Sequence, residues 1–382
     1  MSRSRSAEMD RVPASFAVPK ASDSRPPPHG RRGILARLHA RYFASLWDTV
    51  VTLVIGLPLL LMAWFFLKWA LVDAVWVAPE GKACQLASGA CWAVVAEKYR
   101  VILFGTYPFE EQWRGFVTIA LWIGWGIASG WRRVPLAARL WGWLVVAVVT
   151  VVLMRGGVFG LSLVSTDEWG GLPLTFLVFA GTVAGGVPLA VLLALGRRSD
   201  LPIISGLCVA VIEGVRGIPL LVVLFFAALI LPLFLPPQLN IDKLLRAEIG
   251  MIIFFAAYAA EVIRGGLQAI PAGQEEAAKA LGMPYWTRMR KIVLPQALSV
   301  ALPALFNDII RAFKNTTFFS ILGLFDVLGA TKAALQDPVW VRYGLEGYLF
   351  VFMVYLVFCL GLTFHGREME KNAWRRLGRG EA

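Results

Sequence analysis

PAGQEEAAKALGMPYWTRMRKIVLPQ, residues 271–296, decides how the rest of the chain is read. Apolar segments flank it on both sides, yet it carries Glu275, Glu276, Lys279, Arg288, Arg290 and Lys291. One such charge at the centre of a bilayer costs roughly 2.5–3.5 kcal/mol on insertion scales, so this run belongs in water beside a membrane. Pro271 can open a helix, because its missing N–H is not needed in a first turn. Glu275 and Glu276 follow where the helix dipole favours carboxylates, and Gly282 suits a C-terminal cap. Pro284 can open a second short helix, which Pro295 limits. The expectation is helix, sharp turn, helix, with Ala277, Ala278, Ala280 and Gly282 leaving the turn bare enough for close approach of a partner.

Outside this run the chain is strongly apolar. Of 382 residues, 58% are hydrophobic and only 16% charged, against about 45–50% and 25% in soluble domains. The excess is gathered in long runs, which predicts an all-α polytopic membrane protein. We place about eight transmembrane helices, near residues 50–72, 115–131, 136–154, 171–195, 219–235, 247–263, 301–324 and 347–365. Residues 201–212 are expected to form an interfacial or cytoplasmic helix leading into the fifth. The net charge of +12 would suggest nucleic acid in a soluble protein. Here the basic residues flank the apolar runs, the positive-inside pattern, and put both termini in the cytoplasm. No nucleic-acid partner is expected; membrane lipid is.

Four regions follow. Residues 1–45 form a disordered basic cytoplasmic tail. Residues 46–170 hold three N-terminal spans with external loops, residues 171–366 the remaining five spans and the 271–296 loop, and residues 367–382 a second cytoplasmic tail. Cys84 and Cys91 share one hydrophilic loop; if it is periplasmic a disulfide is allowed, and the alternative is two free thiols. Cys208 and Cys359 lie in apolar runs and read as core.

Glu276-Ala277-Ala278, then Gly282, then Ile292-Val293-Leu294-Pro295 resembles, position for position, the EAA–G–I–x–L–P loop of bacterial ABC-importer permeases. Gly171-Leu172-Pro173-Leu174-Thr175, Glu213–Val222 and Tyr258–Pro271 are similar to the polar amino-acid branch, although Ile218 replaces a Thr of the family pattern. Lys314-Asn315-Thr316-Thr317 stands where that branch has K-D-T-S, which puts in doubt any role needing the carboxylate. The resemblance implies a type-1 ABC-importer transmembrane fold in the C-terminal half and a permease subunit for L-amino acids, forming the translocation pathway. The first three spans resemble the extended N-terminal region of general L-amino-acid permeases. Implied partners are ATPase subunits docked on Glu276, Ala277, Ala278, Gly282, Ile292, Leu294 and Pro295. A second permease, related but different, and a periplasmic amino-acid-binding protein complete them. ATP and Mg would be bound by the ATPase subunits and no cofactor by this chain. There is no phosphate-binding GxxxxGK[ST] loop, so ATP hydrolysis is assigned to a partner chain.

Read from the residues alone, Asn307, Asp308, Arg311, Lys314, Asn315 and Thr316 are the substrate or pathway candidates. Arg311 or Lys314 can hold a carboxylate, and Asp308 or Asn307 an ammonium; the competing reading is a charged segment facing water. Glu213 with Arg216, and Glu261 with Arg264, are three apart and can pair across a helix turn. They serve either as gates or as ion pairs that set helix positions. No metal site is expected. A self-sufficient secondary carrier is the alternative, but it predicts a second, matching broken segment that the sequence lacks. Gly160-Leu161-Ser162-Leu163 faintly resembles an intramembrane serine-protease motif with no histidine to partner it.

Overall fold

The computed structural model describes residues 38–376 apart from 40, 79–80, 130–133, 237 and 239–240. Most of the basic N-terminal tail, Arg132, Arg133 and residues 377–382 therefore lie outside the described residues. Among the described residues there is no strand, only helices and two isolated bridges.

The chain divides into two compact units, one ending at Val72 and one beginning at Asp73. The first contains α1 (Leu46–Leu67), continued by a π turn over Lys68–Val72. Ser45 caps α1 by accepting from the Asp48 N–H at 3.0 Å, which satisfies one orphan donor of the first turn. Pro58 lies inside the helix, and none of the α1 residues is buried.

The second unit opens with a small folded insert, α2 (Lys82–Leu86) and α3 (Ala93–Phe104). Cys84 and Cys91 are joined by a disulfide, with Cα atoms 5.6 Å apart. The insert packs Ala78, Val94 and the cystine onto Leu335 and Trp340. The Cys91 N–H donates to buried Glu346 at 2.9 Å, and Lys98 pairs with Asp337 at 2.7 Å. That hydrogen bond from Lys98 holds the Asp337 carboxyl below the usual range.

Next come α4 (Gln112–Ser129), α5 (Leu136–Arg155), α6 (Gly171–Arg197), the pair α7 (Pro202–Arg216) and the short α8 (Leu220–Phe225), and α9 (Lys243–Gln268). The hairpin helices α10 (Ala272–Ala280) and α11 (Tyr285–Arg288) lead into α12 (Leu294–Asn315), and α13 (Val327–Ala334) and α14 (Gly344–Arg376) close the chain. α9 is central and packs on α6 and α12 through small residues. A Cβ on Gly266 would sit 2.4 Å from the Ala297 carbonyl oxygen, and one on Gly186 2.4 Å from Phe255. Lipid tails are as apolar as leucine side chains, so close van der Waals approach between helices, not escape from water, holds such a bundle together.

All eight expected spans fall on helices, but their standing differs. Among the described residues, six helical segments are long and apolar enough to cross a membrane, seven if the bent pair α7–α8 is one span. α4 is not among them: its first turn carries Gln112 and the buried Arg114. The expected two-part fifth segment is realised as a bend of 109° between Pro202–Arg216 and Leu220–Phe234. One expectation is corrected. Pro295 does not end a short helix, because the chain runs helically from Tyr285 through Leu322. A π turn over Met289–Val293 immediately precedes α12, and Pro295 sits in its first turn, where a missing N–H is tolerated.

On the side of the bundle remote from the hairpin, Asp326 and its two neighbours tie α6, α13 and α14 together. Asp326 caps α13 by accepting from the Gly329 and Leu328 N–H groups at 2.9 and 3.3 Å and from the Tyr355 hydroxyl at 3.2 Å. The Gly171 N–H donates to the Phe325 carbonyl at 2.7 Å, and the Val327 N–H to the Thr175 hydroxyl at 3.2 Å. Burial pushes the Asp326 carboxyl up to about 6 despite these donors.

Candidate functional site

The 271–296 run has the helix–turn–helix shape its sequence dictates. Pro271 precedes α10. At the far end the Met283 N–H bonds to the Ala278 carbonyl at 3.2 Å and the Gly282 N–H to the Lys279 carbonyl at 2.9 Å. With Gly282 at φ 71°, this is a Schellman cap, which needs a residue free of Cβ penalty at the left-handed position. Glu276, Ala277, Leu281 and Gly282 are exposed, whereas Ala278 is buried against the rest of the chain. Ile292 and Leu294 are half-buried and Pro295 is exposed, so the docking candidates divide between an outward edge and an inward seam.

What fixes the hairpin is Glu275. Its carboxylate meets Arg198 at 2.7 Å, Arg288 at 3.3 Å and Lys279 at 3.8 Å. One acid thus joins the end of α6, the first hairpin helix and the second. Arg288 is buried and also donates to the Met283 carbonyl. The motif drew attention to Glu276; Glu275 and Arg198 could have been found only from their charge, since nothing local pairs positions so far apart in sequence.

The two expected i,i+3 pairs form and prove to be one network. Glu261 accepts from the Arg264 Nε–H at 2.9 and 3.0 Å, and Arg216 lies 3.7 Å from Glu213. Arg197, just beyond the expected 171–195 span, bridges them, at 2.8 Å from Glu213 and 3.2 Å from Glu261. Arg216 reaches Glu261 at 3.9 Å as well. Three helices are therefore pinned together beside the α7–α8 break.

The expected polar set on α12 separates into three. Asp308, Arg311 and Asn315 line a narrow cleft with Met251, Phe254, Phe255, Tyr258 and Ala312. Arg311 pairs with Asp308 at 2.7 Å, and the second carboxylate oxygen, Asp308 Oδ2, is buried with no hydrogen-bond partner among the described residues. Asn307 and Lys314 are exposed and do not line the cleft. Thr316 is buried, donates to the Phe313 carbonyl at 2.8 Å and meets the Tyr355 hydroxyl at 3.3 Å, so it braces α12 against α14. Tyr258 was not anticipated. The Arg216 and Arg311 guanidinium carbons lie 5.7 and 5.6 Å from its ring centroid, and its hydroxyl donates to the Arg216 carbonyl at 3.3 Å. That carbonyl belongs to the helix end freed by the α7–α8 bend. Ser162, of the faint protease-like motif, is held by Arg114 and Glu111.

A helical, multi-pass bundle with a charged hairpin at one end, a broken helix and a cleft lined by paired charges is the architecture of a membrane transporter. Comparison with known proteins places it further. Residues 186–367 match the family described as binding-protein-dependent transport system inner membrane component. The chain is 43% identical over 310 residues to the inner membrane amino-acid ABC transporter permease protein YhdY of Escherichia coli (strain K12), covering 80% of this chain and 84% of that protein. It is 33% identical over 430 aligned positions to the glutamate/glutamine/aspartate/asparagine transport system permease protein BztC of Rhodobacter capsulatus, covering 94% and 98%. A crystal structure of an amino acid ABC transporter with histidines matches at 31% identity and a TM-score of 0.47, over 53% of this chain and 92% of that one. The chain belongs to the family of binding-protein-dependent transport system inner membrane components. It is a multi-pass inner-membrane permease subunit, not an enzyme.

Proposed function

We propose that this chain is the permease subunit of an ATP-driven importer for L-amino acids and that it supplies the translocation pathway. Permeases named for amino-acid transport cover four-fifths or more of the chain at 33–43% identity, which supports the cargo class. The observation that carries the coupling role is the hairpin. An exposed edge of Glu276, Ala277 and Gly282 is presented on a helix pair that Glu275 holds together and ties to the end of α6. A force applied to that edge reaches α6 and α12 directly. ATP and Mg would be held by separate ATPase subunits that dock there. A periplasmic binding protein would deliver cargo to the opposite side, and a second, related permease chain would complete the pore. Both termini would then lie in the cytoplasm.

In this reading Asp308, Arg311 and Asn315 contact cargo, and the Arg197–Glu213–Arg216–Glu261–Arg264 network closes the path beneath them. The test is co-purification followed by uptake. The tagged chain should bring down an ATPase subunit, and proteoliposomes of the complex should import amino acids only with internal ATP. Uptake driven by an ion gradient without any ATPase subunit would overturn the proposal.

A further inference from the structure

Resting on that reading of the cleft, we propose that Arg216 and Arg311 form a two-guanidinium clamp for the cargo carboxylate, with Asp308 Oδ2 holding the ammonium, and that the site selects acidic or neutral side chains over cationic ones. Both guanidinium groups lie within 6 Å of the Tyr258 ring centroid; Arg311 lines the cleft together with Tyr258, and Arg216 stands against the same ring. Each retains unused donors. Arg311 uses Nη2 on Asp308, and Arg216 has only the long contacts of 3.7 and 3.9 Å to Glu213 and Glu261. A guanidinium carries five N–H donors in a planar fork that fits a carboxylate. Asp308 is 6% exposed, and its second oxygen has no partner among the described residues. A buried carboxylate oxygen left in this condition is costly, and the ammonium of an amino acid would satisfy it. Met251, Phe254, Phe255 and Ala312 supply apolar walls, which strengthen these charge contacts by keeping water out.

The selectivity follows from the charge balance. Arg197, Arg216 and Arg264 stand against Glu213 and Glu261, an excess of one positive charge, and the separate Arg311–Asp308 pair is neutral. Glu248 lies about 15 Å along α9 from Tyr258 and stands apart from this group. A zwitterion's own charges cancel, so its side chain decides how the excess is felt. A cationic side chain roughly 8 Å from one uncompensated charge, at an effective dielectric of about 20, loses roughly 30-fold in affinity; an acidic one gains.

The test separates the cleft from any binding protein, which would impose its own choice. Equilibrium binding of labelled L-glutamate, L-glutamine and L-arginine is measured on the purified permease–ATPase complex without binding protein. Glutamate and glutamine should bind at least tenfold more tightly than arginine. Arg216→Gln, and separately Arg311→Gln, should weaken glutamate about tenfold and bring arginine to within threefold of it. Arginine binding as tightly as glutamate in the wild type, or preference unchanged in both variants, overturns the clamp while leaving an amino-acid permease intact. If the wild-type complex binds none of the three and its proteoliposomes import no amino acid, the underlying reading falls and this inference with it.

Discussion

Replacing Gly282 separates two reasons for a glycine at the hairpin turn. The first is conformational: at φ 71° an L-residue pays roughly 1–2 kcal/mol for the left-handed backbone, less for asparagine and more for a β-branched residue. The second is space. A Cβ built on Gly282 meets nothing within 4 Å in this chain, so no steric penalty arises until another molecule approaches. Gly282→Asn should therefore fold and insert normally, with a melting temperature in detergent within a few degrees of wild type. Gly282→Val should lose more stability but still reach the membrane, since about 2 kcal/mol is a fraction of a typical 5–15 kcal/mol. If a partner packs against the bare turn, both variants should cut ATP-dependent uptake at least tenfold, and Asn should do so without a stability cost. The assay is membrane abundance by immunoblot, thermal unfolding of the purified protein, and uptake per ATP hydrolysed in proteoliposomes. Normal uptake by the Asn variant together with a defect in Val would show that strain alone matters at this turn, and the close-approach argument would be wrong.

Glu275→Gln should release the clamp: amide exchange across residues 272–282 should rise and uptake should fall, whereas unchanged exchange would mean the hairpin is held by something else. Reducing the Cys84–Cys91 bond, which closes a loop of sequence separation 7, should destabilise the insert by about 2–3 kcal/mol on the chain-entropy account; equal proteolysis of residues 73–104 with and without reductant would contradict this. Asp326 gives a pH dependence whose sign is set by its raised carboxyl. Relative to an ordinary aspartate near 3.9, stability from this group is fully present at low pH and is lost as pH rises through about 6, a slope worth up to about 3 kcal/mol. Asp326→Asn should flatten the fall in melting temperature between pH 4 and pH 7, and identical profiles would remove Asp326 from the account. Finally, Arg311→Ala should raise the cargo concentration needed for half-maximal uptake while leaving assembly intact; unchanged kinetics would take the cleft out of the pathway.

The sequence by itself determined the class of molecule and the shape of its one water-facing hairpin. Both follow from local physics: long apolar runs must hide their backbone in helices, and Pro271, Gly282 and Pro284 set helix starts and stops whatever surrounds them. It also determined the i,i+3 pairs, since helical spacing fixes their proximity. It misjudged Pro295, because the π turn that accommodates it has no signature in residue type. Which polar residues share a cleft was decided only in three dimensions. Asn307 and Asp308 are neighbours in sequence, yet a rotation of about 100° per residue sends one to the surface and the other into the α9–α12 seam. Arg197 and Arg198 follow the apolar 171–195 run, where basic residues at a membrane border are ordinary. Only the packing of α6 against α7, α9 and the hairpin makes the first a bridge between two acids and the second a partner for Glu275.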